Sequence, residues 1–225
     1  MGALVSCEID GAVATLRMDD GKVNVLSPAM QADIHAALDR AASAGSVVVL
    51  TGREKVFSGG FDLATLRGGG QPAADMLRGG FELAERVLSF PTPVVTACNG
   101  HAIAMGLFLM ISGDYRLGAG GSFKLTANEV AIGMSLPQAA IDISQSRLSP
   151  VHLSRVLGLA EVFAPEAAVA AGMLDRVVPP EHLMEEAQAL ASELAKLDVE
   201  AHRVTKLRVR APVLTALRAA IDAEL

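Results

Sequence analysis

Tryptophan is absent from the sequence, tyrosine occurs once, and aromatic residues make up only 4% of the chain. The core must therefore be aliphatic, built from Ala, Val, Leu and Ile. Cysteine is almost as scarce. Cys7 and Cys98 are the only two, too few for a disulfide scaffold or a four-cysteine zinc site, and a reduced, cytoplasmic setting is the expectation. No run of basic residues occurs, and 19 Lys and Arg against 25 Asp and Glu leave a net charge of −6. Nucleic-acid binding is excluded on that ground, because neutralising phosphates dominates such affinity. No long apolar run occurs either. The most apolar stretch, residues 102–112, falls short of the roughly 20 residues a bilayer span needs. The first residues lack the basic start and apolar region of a signal peptide, and the last four are no retention or peroxisomal address. Neither membrane nor nucleic acid is an expected partner.

What is present is apolar bulk. Hydrophobic residues are 51% and charged residues 20% of 225, enough to offset chain entropy and exclude a disordered chain. The length fits one large domain or a core with a smaller appendage. Residues 13–17 alternate apolar and polar as a half-buried strand does. Ser27 and Pro28 start a helix reaching about residue 44, with Ala32, His35, Ala36, Leu38 and Ala42 expected on its inner side. The run SVVVLT, residues 46–51, reads as a buried strand. Residues 67–71, rich in glycine, read as a mobile loop, and residues 73–90 as a helix stopped by Pro91 and Pro93. Residues 94–97 form another buried strand, 105–112 an apolar helix, and 114–117 and 122–125 short strands. Beyond Pro137 nearly everything reads as helix: 137–146, 150–159, 165–171, 180–197 and 200–225, with one short strand at 175–178. The chain thus divides softly into a strand-turn-helix core, 1–150, and a mainly helical region, 151–225. A loose repeat of strand, glycine turn and helix starts at Val47, Val94 and Tyr115.

Two of these turns share one design. A buried strand, residues 48–51 or 93–98, runs into a glycine turn and then a short helical segment. The turns are Gly59-Gly60-Phe61 and Asn99-Gly100 through Gly106. The first N–H groups of a helix lack partners and carry the positive end of its dipole. Two such groups aimed at one point make an oxyanion hole, each donor worth roughly 3 kcal/mol in a transition state. The same spacing also suits ordinary turns in which glycine supplies unusual dihedrals.

The segment VFSGGFDL, residues 56–63, resembles a signature of the crotonase family, the enoyl-CoA hydratases and isomerases. VNVLS at 23–27, PVVTACNGHAIAMGLFLMISGDYRLG at 93–118, FKLTANEVAIGM at 123–134 and APEAAVAAGMLDRVVP at 164–179 resemble further segments of that family, in order and over nearly the whole chain. The resemblance implies an α/β spiral of β-β-α repeats followed by a C-terminal helical oligomerisation region. It implies an acyl-CoA thioester substrate and a homotrimer or dimer of trimers. Carried over by position, the N–H groups of Phe61 and Met105 would polarise the thioester carbonyl. Phe61, Asp62, Leu63 and Ala64 would line the acyl and pantetheine passage. Met105 departs from the family pattern, which often has a glycine run there.

Hydratases of this family use two glutamates. In this chain the first position is Phe108 and the second is Glu129. Holding and deprotonating a water suits two carboxylates better than one beside a phenylalanine. Moving a double bond needs only one base, which takes a proton from C2 of a 3-enoyl-CoA and returns it at C4. Glu129 is therefore the expected proton shuttle, its pKa raised by desolvation from Phe108. The expected activity is enoyl-CoA isomerisation in acyl-CoA metabolism. Hydration of a 2-enoyl-CoA, with Asp142 as a possible second acid, and a catalytically weak acyl-CoA-binding subunit are the alternatives. No carboxylate-histidine cluster has metal-ligand spacing, and no dinucleotide fingerprint follows a strand. No cofactor is expected beyond the coenzyme A of the substrate. His35 and His101 read as packed or solvated residues, Asp62 as a helix cap and Cys98 as packing. Arg203, Lys206 and Arg210 share a helix face; with Arg208, they read as a solvated face or as contacts for CoA phosphates. Lys22 is a similar candidate.

Overall fold

A computed structural model of the protein describes residues 2–225. Six strands, β1 (Val5–Asp10), β2 (Val13–Met18), β3 (Val47–Thr51), β5 (Val94–Cys98), β7 (Tyr115–Ala119) and β9 (Arg176–Val178), form one sheet in that order. The first pair is antiparallel and the others run parallel. Three shorter strands, β4 (Lys55–Ser58), β6 (Gly100–Ile103) and β8 (Leu125–Thr126), form a second, parallel sheet. The helices are α1 (Pro28–Ser43), α2 (Leu63–Gly68), α3 (Gly70–Ser89), α4 (Met105–Ile111), α5 (Gln138–Arg147), α6 (Pro165–Ala170), α7 (Leu183–Leu194) and α8 (Val199–Glu224).

The loose repeat becomes physical here. Each of three successive units supplies one strand to the large sheet, one to the small sheet, and then helix: β3-β4-α2-α3, β5-β6-α4, β7-β8-α5. The chain spirals because consecutive units stack in register, Val48 beside Val94 and Val95 beside Tyr115. Strand β3 is buried along its whole length. Its residues alternate between two cores, as the period of two requires. Val47 and Val49 join Leu183, Ala187 and Ala191 of α7 on one side. Val48 and Leu50 face the larger core with α1, α3 and α4. Covering both faces explains why the run is uniformly apolar.

Four expectations change. Strands β4 and β6 lie inside what the sequence presents as turns; KVFS and GHAI are short and partly polar, and their pairing is nonlocal. The inner side of α1 is Met30, Ile34, Ala37, Leu38 and Ala41, so of the expected positions only Leu38 is buried. The helix is cut to fit between β1, β2 and α3, and alanine, tolerated on either face, gave a false phase. Residues 67–71 are not a loop: α2 runs through Gly68, and α3 starts at Gly70. Gly69 and Gly70, with φ of +63° and +66°, turn the chain between the two helices in a conformation glycine adopts freely. The expected helix 150–159 is a 3-10 turn followed by a π turn, Ser154–Gly158. Beyond residue 150 the chain still contributes β9 to the large sheet, and α8 packs against α3 and α5.

Candidate active site

The two glycine turns meet. Gly60 follows β4 with φ of +87°, and a Cβ there would lie 2.8 Å from the Ile103 carbonyl oxygen and 3.3 Å from the Met105 nitrogen. Gly106, at the start of α4, approaches β4 as closely; a Cβ would lie 2.4 Å from the Ser58 carbonyl oxygen. Two side-chain-free positions thus let β4 and α4 touch. The first turn is pinned from below. Ser58 donates its hydroxyl to the Asn24 carbonyl (2.7 Å) and accepts from the Gly60 N–H (3.1 Å). Asn24, buried and with φ of +52°, donates its amide to the carbonyls of Met18 and Phe57 (3.1 and 3.2 Å). Ala104 takes φ of +53° at the cap of α4, a strained conformation for a residue with a Cβ. It turns Met105 into the first helical position, where the N–H has no intrahelical partner. Neither the Phe61 N–H nor the Met105 N–H donates to any group among the described residues.

Beside these two donors opens a cavity of about 510 Å³. Phe61, Leu63, Met105, Phe108 and Glu129 all stand on its wall. The rest of the lining is mostly apolar: Leu66 of α2, Leu77 and Phe81 of α3, and Ile132, Met134 and Leu136 of the segment before α5. The rings of Phe61, Phe81 and Phe108 form a chain, each 6.3 Å from the next. Gly80 makes room for it; a Cβ there would sit 2.4 Å from the Phe61 ring. Met105 is buried in the core, so its side chain leaves the N–H open to the cavity.

Glu129 stands just before a short 3-10 turn, Val130–Ile132. Its Oε2 is buried and has no hydrogen-bond partner among the described residues. Burial pushes its carboxyl up from 4.5 to about 7. The cause is desolvation, which outweighs the opposing pull of the residue's own backbone N–H: an apolar wall disfavours the charged form. Glu224, the other acid on the wall, is exposed and accepts from the Gln138 N–H (2.9 Å) at the start of α5. A carboxyl that changes charge near neutrality, beside two unpartnered N–H donors, can move a proton next to a carbonyl whose oxygen is held.

Other residues singled out in the sequence lie elsewhere. Asp62 turns its carboxylate to the Thr65 N–H (2.7 Å) as the cap of α2, a bond that holds its pKa below the usual range. Ala64 is exposed on α2 and off the cavity wall. Asp142 accepts from the Gln138 side chain (2.7 Å) and does not line the cavity. His101 accepts from the Lys124 N–H (3.0 Å), and His35 contacts Arg86. Cys98 is buried, its thiol pushed up to about 12 by desolvation. Lys206 and Arg210 are not a solvated face. They are 7% and 8% exposed and share the carboxylate of Asp114. Arg203 pairs with Glu200 on the surface. Among the described residues no group of three His, Cys, Asp or Glu could hold a metal ion, and no helix is long and apolar enough to cross a membrane.

Leu66, Leu77, Phe81, Ile132, Met134 and Leu136 went unassigned in the sequence. Phe81 had a signal, since α3 buries Ala73, Met76, Gly80, Phe81, Ala84, Val87 and Leu88 at helical spacing. Ile132 and Met134 lie in the family-like segment 123–134 but, like Leu136, showed no periodicity, because only the 3-10 turn Val130–Ile132 is regular there.

Comparison with known proteins follows the same outline. The family model for enoyl-CoA hydratase/isomerase matches residues 8–225. A putative enoyl-CoA hydratase of Thermus thermophilus is 35% identical over 207 residues, covering 87% of this chain and 79% of its own. The apo structure of a Mycobacterium tuberculosis enoyl-CoA isomerase superposes with a TM-score of 0.96 at 50% identity, covering all of both chains. Another structure of that same mycobacterial protein is described as a probable enoyl-CoA hydratase, so the names of relatives do not separate the two reactions. The human mitochondrial delta3-delta2-enoyl-CoA isomerase superposes with a TM-score of 0.92 at 26% identity, over 98% of this chain and 88% of its own.

Proposed function

We propose, from the premise that the chain belongs to the enoyl-CoA hydratase/isomerase family, that it moves a double bond, converting a 3-enoyl-CoA into the conjugated 2-enoyl-CoA. One observation carries this reading. The cavity holds a single half-buried carboxylate, Glu129, and shares its wall with the buried ring of Phe108 instead of a second inward acid.

In this mechanism the thioester carbonyl oxygen accepts from the N–H groups of Phe61 and Met105. Ionised Glu129 takes the proton from C2. The C2 electron pair and the C3=C4 double bond become a dienolate whose oxygen charge the two N–H groups stabilise, each by roughly 3 kcal/mol. Protonated Glu129 then delivers the proton to C4, leaving a C2=C3 double bond. Nothing is oxidised or reduced, so no cofactor is needed beyond the coenzyme A of the substrate. A pKa near 7 suits a group that must act as base and then as acid. The apolar wall of Leu66, Leu77, Ile132, Met134 and Leu136 supports an aliphatic acyl chain. Phe61 and Leu63 are placed to guide it, while Asp62 serves by capping α2. Exposed Val151, Leu159 and Val162 support assembly of copies into a trimer or dimer of trimers.

The test is a paired assay on the purified protein. One arm supplies a 3-enoyl-CoA and the other a 2-enoyl-CoA; both follow the conjugated thioester and the 3-hydroxy product. Conjugation that disappears in Glu129→Gln, with negligible 3-hydroxy product, is the expected result. Brisk hydration would replace this reading by the hydratase one. Tight binding of acyl-CoA with no turnover in either arm would replace it by a binding subunit.

A further inference from the structure

A second cavity, of about 480 Å³, opens at the other end of the large sheet. It sits where β5 and β7 begin, against Asp114, whose carboxylate accepts from the Val94 N–H (2.7 Å). The acyl cavity is lined from the turns after β4 and β6. The two cavities share no lining residue, so they are separate.

The charges on this wall do not balance. Asp114 serves two cations, Lys206 Nζ (2.7 Å) and the Arg210 guanidinium (2.9 Å). Each also donates to a carbonyl, Lys206 to Thr92 and Arg210 to Leu88. Arg147, in the last turn of α5, donates to the carbonyls of Ile111 (2.8 Å) and Gly113 (2.5 Å) and forms no ion pair among the described residues. Behind it Arg116 is matched by Asp175. Asp198 also reaches the cavity, but it is exposed and occupied as the cap of α8, accepting from the Ala201 N–H (2.7 Å). His202 adds a buried Nε2 with no partner among the described residues. Arg147 is therefore the guanidinium left without a carboxylate among the described residues, beside an ammonium and a guanidinium that share the carboxylate of Asp114 and an imidazole nitrogen able to donate.

We propose that this cavity binds an oxyanion, a phosphate group seated among Arg147, Lys206, Arg210 and His202 and carried by inorganic phosphate or a small phosphate monoester. The volume leaves room beyond the anion itself, within the range of small-ligand sites. Three cations held close in a partly desolvated place repel one another, and an anion relieves that cost. Desolvation, with the nearby arginines, pulls Lys206 down to about 8 and Arg147 down to about 10; a bound anion reverses both shifts.

Val209 offers a clean test, because it lines the cavity at its rim and is 74% exposed. The full chain is titrated with sodium phosphate, and separately with glycerol 3-phosphate, at constant ionic strength. Melting temperature and the proton NMR signal of His202, assigned with His202→Gln, are followed. Saturable binding that raises the melting temperature and shifts His202 is expected. Val209→Glu, which puts a carboxylate beside the cations, should weaken binding about tenfold. Glu129→Gln should bind phosphate like the wild type, because the acyl cavity takes no part. Tighter binding of glycerol 3-phosphate supports the monoester as source, and binding of phosphate alone supports the free ion. No saturable binding of either in the millimolar range, or binding undiminished in Val209→Glu, overturns the proposal.

Discussion

The two ends of the large sheet bury charge in opposite ways. At the acyl cavity one carboxylate, Glu129, shares its wall with leucine, methionine and phenylalanine, and its buried oxygen has no partner among the described residues. At the start of β5 and β7 one carboxylate, Asp114, collects a backbone N–H, a lysine and an arginine. The first arrangement leaves the charged form unfavourable and the group ready to exchange a proton. The second locks two charged side chains of α8 onto the sheet. Burial by itself therefore does not mark a structural or a functional ionisable group. What marks it is whether burial is compensated.

The largest effect is expected at Glu129. Replacing it with Gln keeps the shape and removes the proposed base, so kcat should fall about a thousandfold with little change in KM. In the wild type, activity should rise with pH through about 7 as the carboxylate forms. Stability should move the other way. The native state holds this proton up to about 7, whereas the unfolded chain releases it near 4.5. Between those values the native state binds more protons, so stability falls as pH rises through the window. Ionised Glu129 costs up to about 3 kcal/mol above it. Glu129→Gln should accordingly melt higher than the wild type at pH 8 and nearly the same at pH 4, as read by calorimetry. Equal melting at pH 8 would mean that the carboxylate finds compensation in solution.

Asp114→Asn comes next. It leaves Lys206 and Arg210, with side chains 4% and 10% exposed, without their counter-charge, and such a loss costs about 3 kcal/mol or more. Urea denaturation should show it, while kcat per folded molecule stays near wild type because Asp114 takes no part in the wall of the acyl cavity. Gly60→Ala tests the contact of the two turns. The added methyl would lie 2.8 Å from the Ile103 oxygen at a φ of +87°. Moving the Phe61 N–H away from its partner donor should lower kcat about a hundredfold, with a smaller loss of stability.

The sequence made one of these ends much more legible than the other. Residues 61, 105, 108 and 129 each lie in a segment that resembles the family, so they could be named one at a time by position, although the fold alone brings them to one cavity wall. Their apolar surroundings were harder, because Ile132 ends a single 3-10 turn and Met134 and Leu136 follow on irregular backbone, with no periodicity to read. At the other end, the spacing of Lys206 and Arg210 did place them on one helix face. It could not say what that face meets, because Asp114 lies 92 residues earlier. The small sheet was missed for the same reason. Strands of four residues carry little pattern, and β4 is defined by pairing with β6, which closes only once the spiral has formed.

The smallest effect is expected at Asp62, and it separates a cap from an acid. Its carboxylate accepts from the Thr65 N–H at the start of α2 (2.7 Å). An N-cap replaced by Ala costs about 1 kcal/mol where the helix matters to the fold. Helix α2 buries none of its own residues, so global unfolding should barely register the change. What α2 does supply is Leu63 and Leu66 on the acyl cavity wall. Asp62→Ala should therefore loosen that wall and raise KM a few-fold, with kcat unchanged, because an interaction made equally in ground and transition states was lost. Asp62→Asn, whose side-chain oxygen can still accept from Thr65, should restore KM. A hundredfold fall in kcat in both variants would instead put a second acid in the reaction, and Glu129 would no longer act alone.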